Sequence, residues 1–126
     1  MIKRGYDKKI YFDCNFRFNS DLVYDDYRLM KKAGFRLLVV GIESANQNTL
    51  DRINKNLTVR QIEESCRMIK AAGLHLHICI MFGFSWEDYE DANRTLKLAK
   101  YLLRNNYAVT VQATIAMPYP GTPLFE

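Results

Sequence analysis

The sequence predicts an α/β fold, a partial (β/α) barrel fragment with about four parallel strands and three main helices. Extended apolar runs at residues 10–18, 36–43, 75–82 and 109–117 alternate with amphipathic runs of helical period. The stretches KKAGF (31–35) and KAAGL (70–74) match each other, as the helix-to-strand turns of a repeated βα unit should, with glycine in the left-handed position. Each strand run is apolar on one face and mixed or polar on the other. Parallel strands covered by helices on both sides are apolar on both. A barrel wall instead carries helices outside and a lumen for water or a polar ligand inside; an open sheet with one solvated face is the alternative.

In the first strand Ile10, Phe12, Cys14, Phe16 and Phe18 share one face, and Asp13, Asn15 and Arg17 the other. The first helix, about 21–33, follows Asn19 and Ser20 as candidate N-caps and carries Leu22, Val23, Tyr27 and Met30 on one side. In the second strand Leu38, Val40 and Ile42 point to the helices, whereas Val39, Gly41 and Glu43 point inward. A short helix at 47–54 follows. Thr58 and Gln61 then form a capping box, with Val59, Ile62, Cys66 and Ile69 at helical spacing and Gly73 as the stop. In the third strand Leu76, Ile78, Ile80 and Phe82 oppose His75, His77, Cys79 and Met81. The last helix opens with Ser85 and Asp88 and is expected to pack Tyr89, Ala92, Leu96, Ala99 and Leu103 before Asn105 and Asn106 break it. In the fourth strand Val109, Val111, Ala113 and Ile115 oppose Thr110, Gln112 and Thr114. Right-handed crossovers return the chain to each parallel neighbour.

Polar candidates gather where these strands end, which is where βα folds put ligand sites. Glu43 ends an apolar strand, and Gly41 is expected to leave a hollow beside it for a ligand. Arg17 ends the first strand, Lys55 follows the short helix, GFSWE (83–87) follows the third strand and PYPGTP (118–123) the fourth. Taken alone, Glu43 reads as well as a cap of the short helix, favoured by about 0.3–1 kcal/mol, and Lys55 as a solvated helix-end lysine. His75, His77 and Cys79 share a face, but the cysteine lies about 13 Å along the strand from the first histidine, so they are read as lumen filling rather than a metal site. Trp86 is read as a packing residue.

Composition bounds the function. With 126 residues the chain is read as a single domain, 1–126. Its apolar share of 48% and charged share of 25% make an ordinary soluble mix. No apolar run reaches the roughly 18 residues of a membrane span, and no signal peptide opens the chain. A net charge of +4 permits an anionic ligand but reads first as a surface surplus, and the aromatic residues suit apolar faces rather than nucleic acid. Cys14, Cys66 and Cys79 are widely spaced and odd in number, which argues against disulfides and for a reducing, cytoplasmic compartment. No CxxC or CxxxCxxC clamps a metal or cluster.

GIES (41–44), TLDRINKN (49–56), GFSWED (83–88) and PYPGTPLFE (118–126) together resemble the later half of a radical S-adenosylmethionine core. The resemblance covers about residues 10–126 and is to the branch whose members often carry a separate cobalamin-binding domain. It implies a partial barrel of six βα units, in which a CxxxCxxC loop after the first strand holds a [4Fe–4S] cluster. That cluster reduces S-adenosylmethionine to a 5′-deoxyadenosyl radical, which abstracts a hydrogen atom. Nothing here resembles that loop, nor the glycine-rich segment after the family's second strand. The resemblance therefore implies strands three to six: the C-terminal half of a larger enzyme's barrel, with Met1 an artificial start. Alone, the chain would be inactive and hold no cofactor. Its partners would be the missing N-terminal half, a small-molecule substrate and a second copy joined through the cut edge.

By position, the resemblance sets Glu43, with Ser44 beside it, against the cofactor's ribose or amine, and Lys55 against the methionine carboxylate. Arg17 would line the lumen, the backbone of Phe82 and Gly83 would pass the adenine edge, and Tyr119 to Gly121 would close the far side. Three departures stand out. Ala45 and Asn56 occupy places where the family usually has glycine, and GFSWE replaces the usual GLPGE, so that Ser85 and Trp86 stiffen and enlarge the loop. A second function class stays open: a self-contained βα anion- or nucleotide-binding domain without radical chemistry, with Lys55 and backbone amides holding the anion. The reading frame upstream of Met1 separates the two. Methyl transfer, ring formation and sulfur insertion are all compatible with these residues.

Overall fold

The structure is a computed structural model and describes residues 2–6, 9–18 and 21–122, without the side chain of Arg4. After a 3-10 turn at Ile2–Arg4 come β1 (Phe12–Phe16), α1 (Tyr24–Lys32), β2 (Phe35–Glu43), α2 (Gln47–Arg52), α3 (Val59–Ala71), β3 (His75–Phe82), α4 (Tyr89–Arg104) and β4 (Thr110–Ile115). The strands form one parallel sheet in the order β1-β2-β3-β4. Three main helices and the short α2 connect them, as the alternation predicts. Local chemistry sets the boundaries. Thr58 Oγ1 accepts from the Gln61 N–H at 3.2 Å while Gln61 Oε1 accepts from the Thr58 N–H at 2.8 Å, so α3 opens on its capping box. Gly34 and Gly73 leave α1 and α3 at φ 98° and 78°, a conformation that glycine adopts without a Cβ penalty.

The core lies between the sheet's outer face and the helices. Leu38, Val40, Ile42, Leu76, Ile78 and Ile80 are buried against Tyr27 of α1, Ile62, Cys66 and Ile69 of α3, and Leu98, Ala99 and Leu102 of α4. Each fully buried aliphatic side chain contributes about 1.5–3 kcal/mol relative to exposure. On the inner face, Asn15, Val39, His77 and Thr110 stand in register, and Gly41, Cys79 and Gln112 follow one pleat further on.

Four expectations need correcting. The proposed caps Asn19 and Ser20 lie outside the described residues; α1 begins at Tyr24, and Val23 holds the N-cap position with its N–H donated to Asp26 at 2.9 Å. Val23 is accordingly exposed rather than packed. In α4 the buried stripe is Thr95, Leu98, Ala99 and Leu102, while Tyr89 is 81% exposed and Leu96 42%. A polar residue in the buried stripe shifted the apparent apolar phase: the Thr95 hydroxyl accepts the Ala45 N–H at 2.9 Å, so threonine belongs inside. The first and fourth strands are shorter than the extended runs, and β4 leaves Val111 and Ile115 exposed at the sheet edge. Finally, the hollow beside Gly41 is filled by the Glu43 carboxylate, as the site geometry shows.

Candidate functional site

β2 ends in a turn rather than a straight exit. Glu43 has φ +61°, the Ser44 N–H bonds back to Ile42 O at 2.8 Å, and the β2–β3 register slips between Gly41 and Glu43. A side-chain-bearing residue in the left-handed region costs about 1–3 kcal/mol and persists only where its surroundings over-determine it. Here they do. The buried Ser44 hydroxyl donates to Glu87 Oε1 at 2.7 Å and accepts from the Asn46 N–H at 3.1 Å. Glu87 Oε1 also accepts from Thr49 Oγ1 at 2.6 Å and Asn46 Nδ2 at 3.1 Å. This polar network ties the loop after β2 to the loop after β3 and to α4. It fixes the backbone that follows Glu43.

So fixed, Glu43 turns back along β2. A β-carbon at Gly41 would stand 2.0 Å from Glu43 Oε1, so only glycine leaves the carboxylate this seat. Lys55 Nζ meets the same oxygen at 2.9 Å, and the two side chains are 13% (Lys55) and 21% (Glu43) exposed. The cap of α2 is Asn46, not Glu43. Lys55 arrives from a tight exit of α2: Asn54 and Asn56 flank it at φ 52° and 55°, and the Lys55 N–H bonds Leu50 O at 2.8 Å. Asparagine tolerates this conformation, which makes Asn56 a workable replacement for glycine. Ala45 keeps a negative φ, so it too is unstrained. Arg17, beyond the end of β1, donates Nη2 to Asn54 O at 3.0 Å and Lys55 O at 3.2 Å and thereby braces the loop that presents Lys55.

The opposite wall is aromatic. Phe84 and Trp86 stack with centroids 5.2 Å apart, Trp86 Nε1–H donates to Thr49 Oγ1 at 3.1 Å, and the Arg52 guanidinium lies 4.9 Å over the indole. Between the walls is a cleft of about 670 Å³ that Met81 of β3 also lines and that Thr122 meets from beyond β4. Arg17, Glu43 and Lys55 are thus brought together on one cleft, as the strand-end argument expects. Ser44 is placed behind it, in the polar network. Phe82 ends β3 and Gly83 follows it, next to the wall without lining the cleft. Tyr119 is 63% exposed, and its carbonyl accepts the Thr122 hydroxyl at 2.6 Å, so the turn containing Gly121 meets the cleft through Thr122. Sequence reasoning missed Arg52 and the cleft role of Trp86. The departure from GLPGE marked that loop as unusual but gave no direction for its indole.

The remaining candidates serve the fold. His77 Nδ1 bonds Thr110 Oγ1 at 2.7 Å across the inner face, His75 is exposed, and no group of three metal-ligating side chains forms among the described residues. Burial pushes the Cys66 thiol up to about 12. Burial, reinforced by Glu43, also raises Cys79. No helix among the described residues is long and apolar enough to cross a membrane.

Comparison with known proteins gives the family. The chain is 39% identical over 99 residues to an uncharacterized methyltransferase of Pyrococcus horikoshii, covering 79% of this chain and 21% of that protein. It is 31% identical over 129 residues to the anaerobic magnesium-protoporphyrin IX monomethyl ester cyclase of Cereibacter sphaeroides, covering 100% of this chain and 20% of the cyclase. The chain thus spans about a fifth of the length of these relatives. The radical S-adenosylmethionine methyltransferase TsrM of Kitasatospora setae, solved with cobalamin and a [4Fe–4S] cluster bound, shares the fold with a TM-score of 0.80 at 17% identity, over 98% of this chain and 25% of TsrM. The model of the radical SAM superfamily matches residues 2–113. The chain therefore belongs to the radical SAM superfamily.

Proposed function

We propose that this chain is the C-terminal half of the barrel of a radical S-adenosylmethionine iron–sulfur enzyme and supplies part of its cofactor and substrate pocket. The carrying observation is the Glu43–Lys55 pair, opposite charges 2.9 Å apart at the strand-end cleft. An α-amino acid group offers an ammonium to Glu43 and a carboxylate to Lys55, so these residues fit the methionyl end of S-adenosylmethionine. Because both side chains are largely shielded from water, charge-assisted hydrogen bonds made here are stronger than surface ones. Ser44 anchors the turn that carries Glu43 and Arg17 holds the main chain of Lys55, while Phe82 and Gly83, and the turn of Tyr119 and Gly121, flank the cleft.

Bound with a reduced [4Fe–4S] cluster, S-adenosylmethionine supplies hydrogen-abstracting radical chemistry in this family. The described residues do not fit the cluster itself. Cys14, Cys66 and Cys79 lie on β1, α3 and β3, and Cys66 is fully buried with its thiol far from a thiolate. The cluster ligands are assigned to the missing N-terminal half, and any cobalamin to a separate domain. The relatives include both methyltransferases and cyclases. Choice of the small-molecule substrate is therefore assigned largely to parts of the protein outside this chain. Nothing in the comparisons favours a self-contained anion-binding domain.

Calorimetric titration of the full-length protein with S-adenosylmethionine tests the reading. Glu43→Ala and Lys55→Ala should each weaken binding about ten- to a hundredfold, with iron content unchanged. Wild-type affinity in both variants would reduce the pair to a structural ion pair. Anaerobic reconstitution of the 126-residue chain alone should yield neither cluster absorbance nor cofactor cleavage, and a stoichiometric four-iron cluster would overturn the division between halves.

A further inference from the structure

We propose that Arg52 is the receptor for an anionic group, a carboxylate or a phosphate, on the substrate that enters the cleft beside the cofactor. The inference rests on the reading above for the identity of the cleft, and on a separate set of contacts for the anion. Three cations line the cleft against one carboxylate. Lys55 pairs with Glu43 at 2.9 Å and is assigned above to the cofactor's carboxylate, and Arg17 donates to the carbonyls of Asn54 and Lys55. Arg52 alone of the three makes no hydrogen bond or ion pair among the described residues. Its guanidinium carbon instead lies 4.9 Å over the indole of Trp86.

That contact positions the guanidinium without consuming its donors. Trp86 is itself held, stacked on the buried Phe84 and hydrogen-bonded through Nε1–H to Thr49, so the platform does not move with solvent. A guanidinium stacked on a fixed ring keeps its edge N–H groups free in the fork that meets two oxygens of a carboxylate or phosphate at once. Attraction between a helix C-terminus and a cation accounts for an arginine in the last turn of α2. It does not account for the stack, because a solvated arginine would satisfy the same field. The neighbouring cleft surfaces, Ile53, Met81, Phe84 and Trp86, are apolar. The ligand that fits is an anionic group on an apolar or aromatic body.

The anion could come from the substrate or from the carboxylate of the cofactor, and two arms separate them. Trp86 is the only tryptophan of the 126 residues, so its fluorescence reports the stack directly. In the first arm, inorganic phosphate and acetate are titrated at constant ionic strength into the wild-type chain, Arg52→Gln and Arg52→Lys. Wild type should respond saturably, Arg52→Gln about tenfold more weakly, and Arg52→Lys in between, having charge without the fork. No saturable response in wild type, or an equal one in Arg52→Gln, would overturn the proposal. In the second arm, the full-length protein is titrated with S-adenosylhomocysteine. Arg52→Gln should bind it as wild type does, whereas Lys55→Ala should lose affinity. If Arg52→Gln loses as much as Lys55→Ala, the anion is the cofactor's own and the substrate assignment fails. If Lys55→Ala loses nothing, the cofactor reading fails while the phosphate arm still decides the role of Arg52.

Discussion

The carboxylate of Glu43 occupies the space that a side chain at Gly41 would need: a β-carbon there would stand 2.0 Å from Glu43 Oε1 and 3.2 Å from Lys55 Nζ. The glycine, the strained turn and the ion pair are therefore one device. Gly41→Ala should displace the Glu43 side chain, which is flexible at its end, rather than the backbone. The fold should survive with a loss of about 1–3 kcal/mol, and cofactor affinity in the full-length protein should fall to that of Glu43→Ala. Denaturant melts of the single and double variants check the coupling: Gly41→Ala should be nearly harmless once Glu43 is alanine, since contacting residues are non-additive.

Glu43 also carries backbone strain, at φ +61°. Alanine keeps the Cβ clash of that conformation and glycine does not. Both replacements leave Lys55 without its partner, so the difference between them isolates the strain. Glu43→Gly should be more stable than Glu43→Ala by about 1 kcal/mol in urea denaturation. Equal stability would mean that the turn relaxes when the carboxylate is removed.

Arg17 acts through the main chain of Lys55 and not by touching the pair. Removing two charge-assisted bonds from an exposed guanidinium should cost about 1 kcal/mol or less after solvent screening. Arg17→Ala should leave the global melting temperature nearly unchanged and speed hydrogen exchange of the Lys55 amide, which bonds Leu50 O. Unchanged exchange there would leave Arg17 as a mere lining residue.

Alkaline stability should report Cys66. Burial, then the nearby Glu63 charge, raises its thiol from 9.0 to about 12, and burial likewise raises Tyr27 from 10.0. A group that holds its proton more tightly when folded contributes fully below its unfolded value and loses that contribution as pH rises through the folded one. Melting temperature should thus fall from about pH 9 upward, and Cys66→Ala should start lower at neutral pH, because of its cavity, but decline less steeply. A thiol reagent at neutral pH should reach Cys66 only on unfolding.

What the sequence made legible was local. The third strand at His75–Phe82, the Thr58–Gln61 box and the glycines that end α1 and α3 each follow from residues within one turn of each other. The inner face shared by Asn15, Val39, His77 and Thr110 was equally readable, because period two needs no partner. Long-range contacts were not readable. The apolar stripe expected for the last helix left out Thr95, whose burial follows from its acceptor role for Ala45 N–H on the loop after β2. The hollow at Gly41 was real as a missing side chain, yet its occupant came from two residues downstream by way of a left-handed turn that an alternating pattern cannot announce. Arg52 and Trp86 lie 34 positions apart and meet only because the α2 and β3 exits face one cleft.

The chain should also self-associate. β1 and β4 are the outer strands of the sheet, and each offers an unpaired backbone edge among the described residues. Residues 2–6 form a 3-10 turn closed by Gly5 N–H to Ile2 O, not a strand laid along β1. The two edges differ in side chains. Near β1, Tyr11 is 75% exposed beside the charged Asp13–Arg36 pair, whereas β4 shows Val111 at 38% and Ile115 at 68% exposure on the face its neighbours bury under helices. Apolar burial is the larger drive, and two-fold closure is the commonest way to satisfy it. Light scattering over a dilution series should show a weak dimer in wild type. Ile115→Lys should shift it toward monomer if the β4 face is used. A dimer unaffected by that charge would put the contact at the β1 edge, and a monomer at every concentration would refute self-association through either.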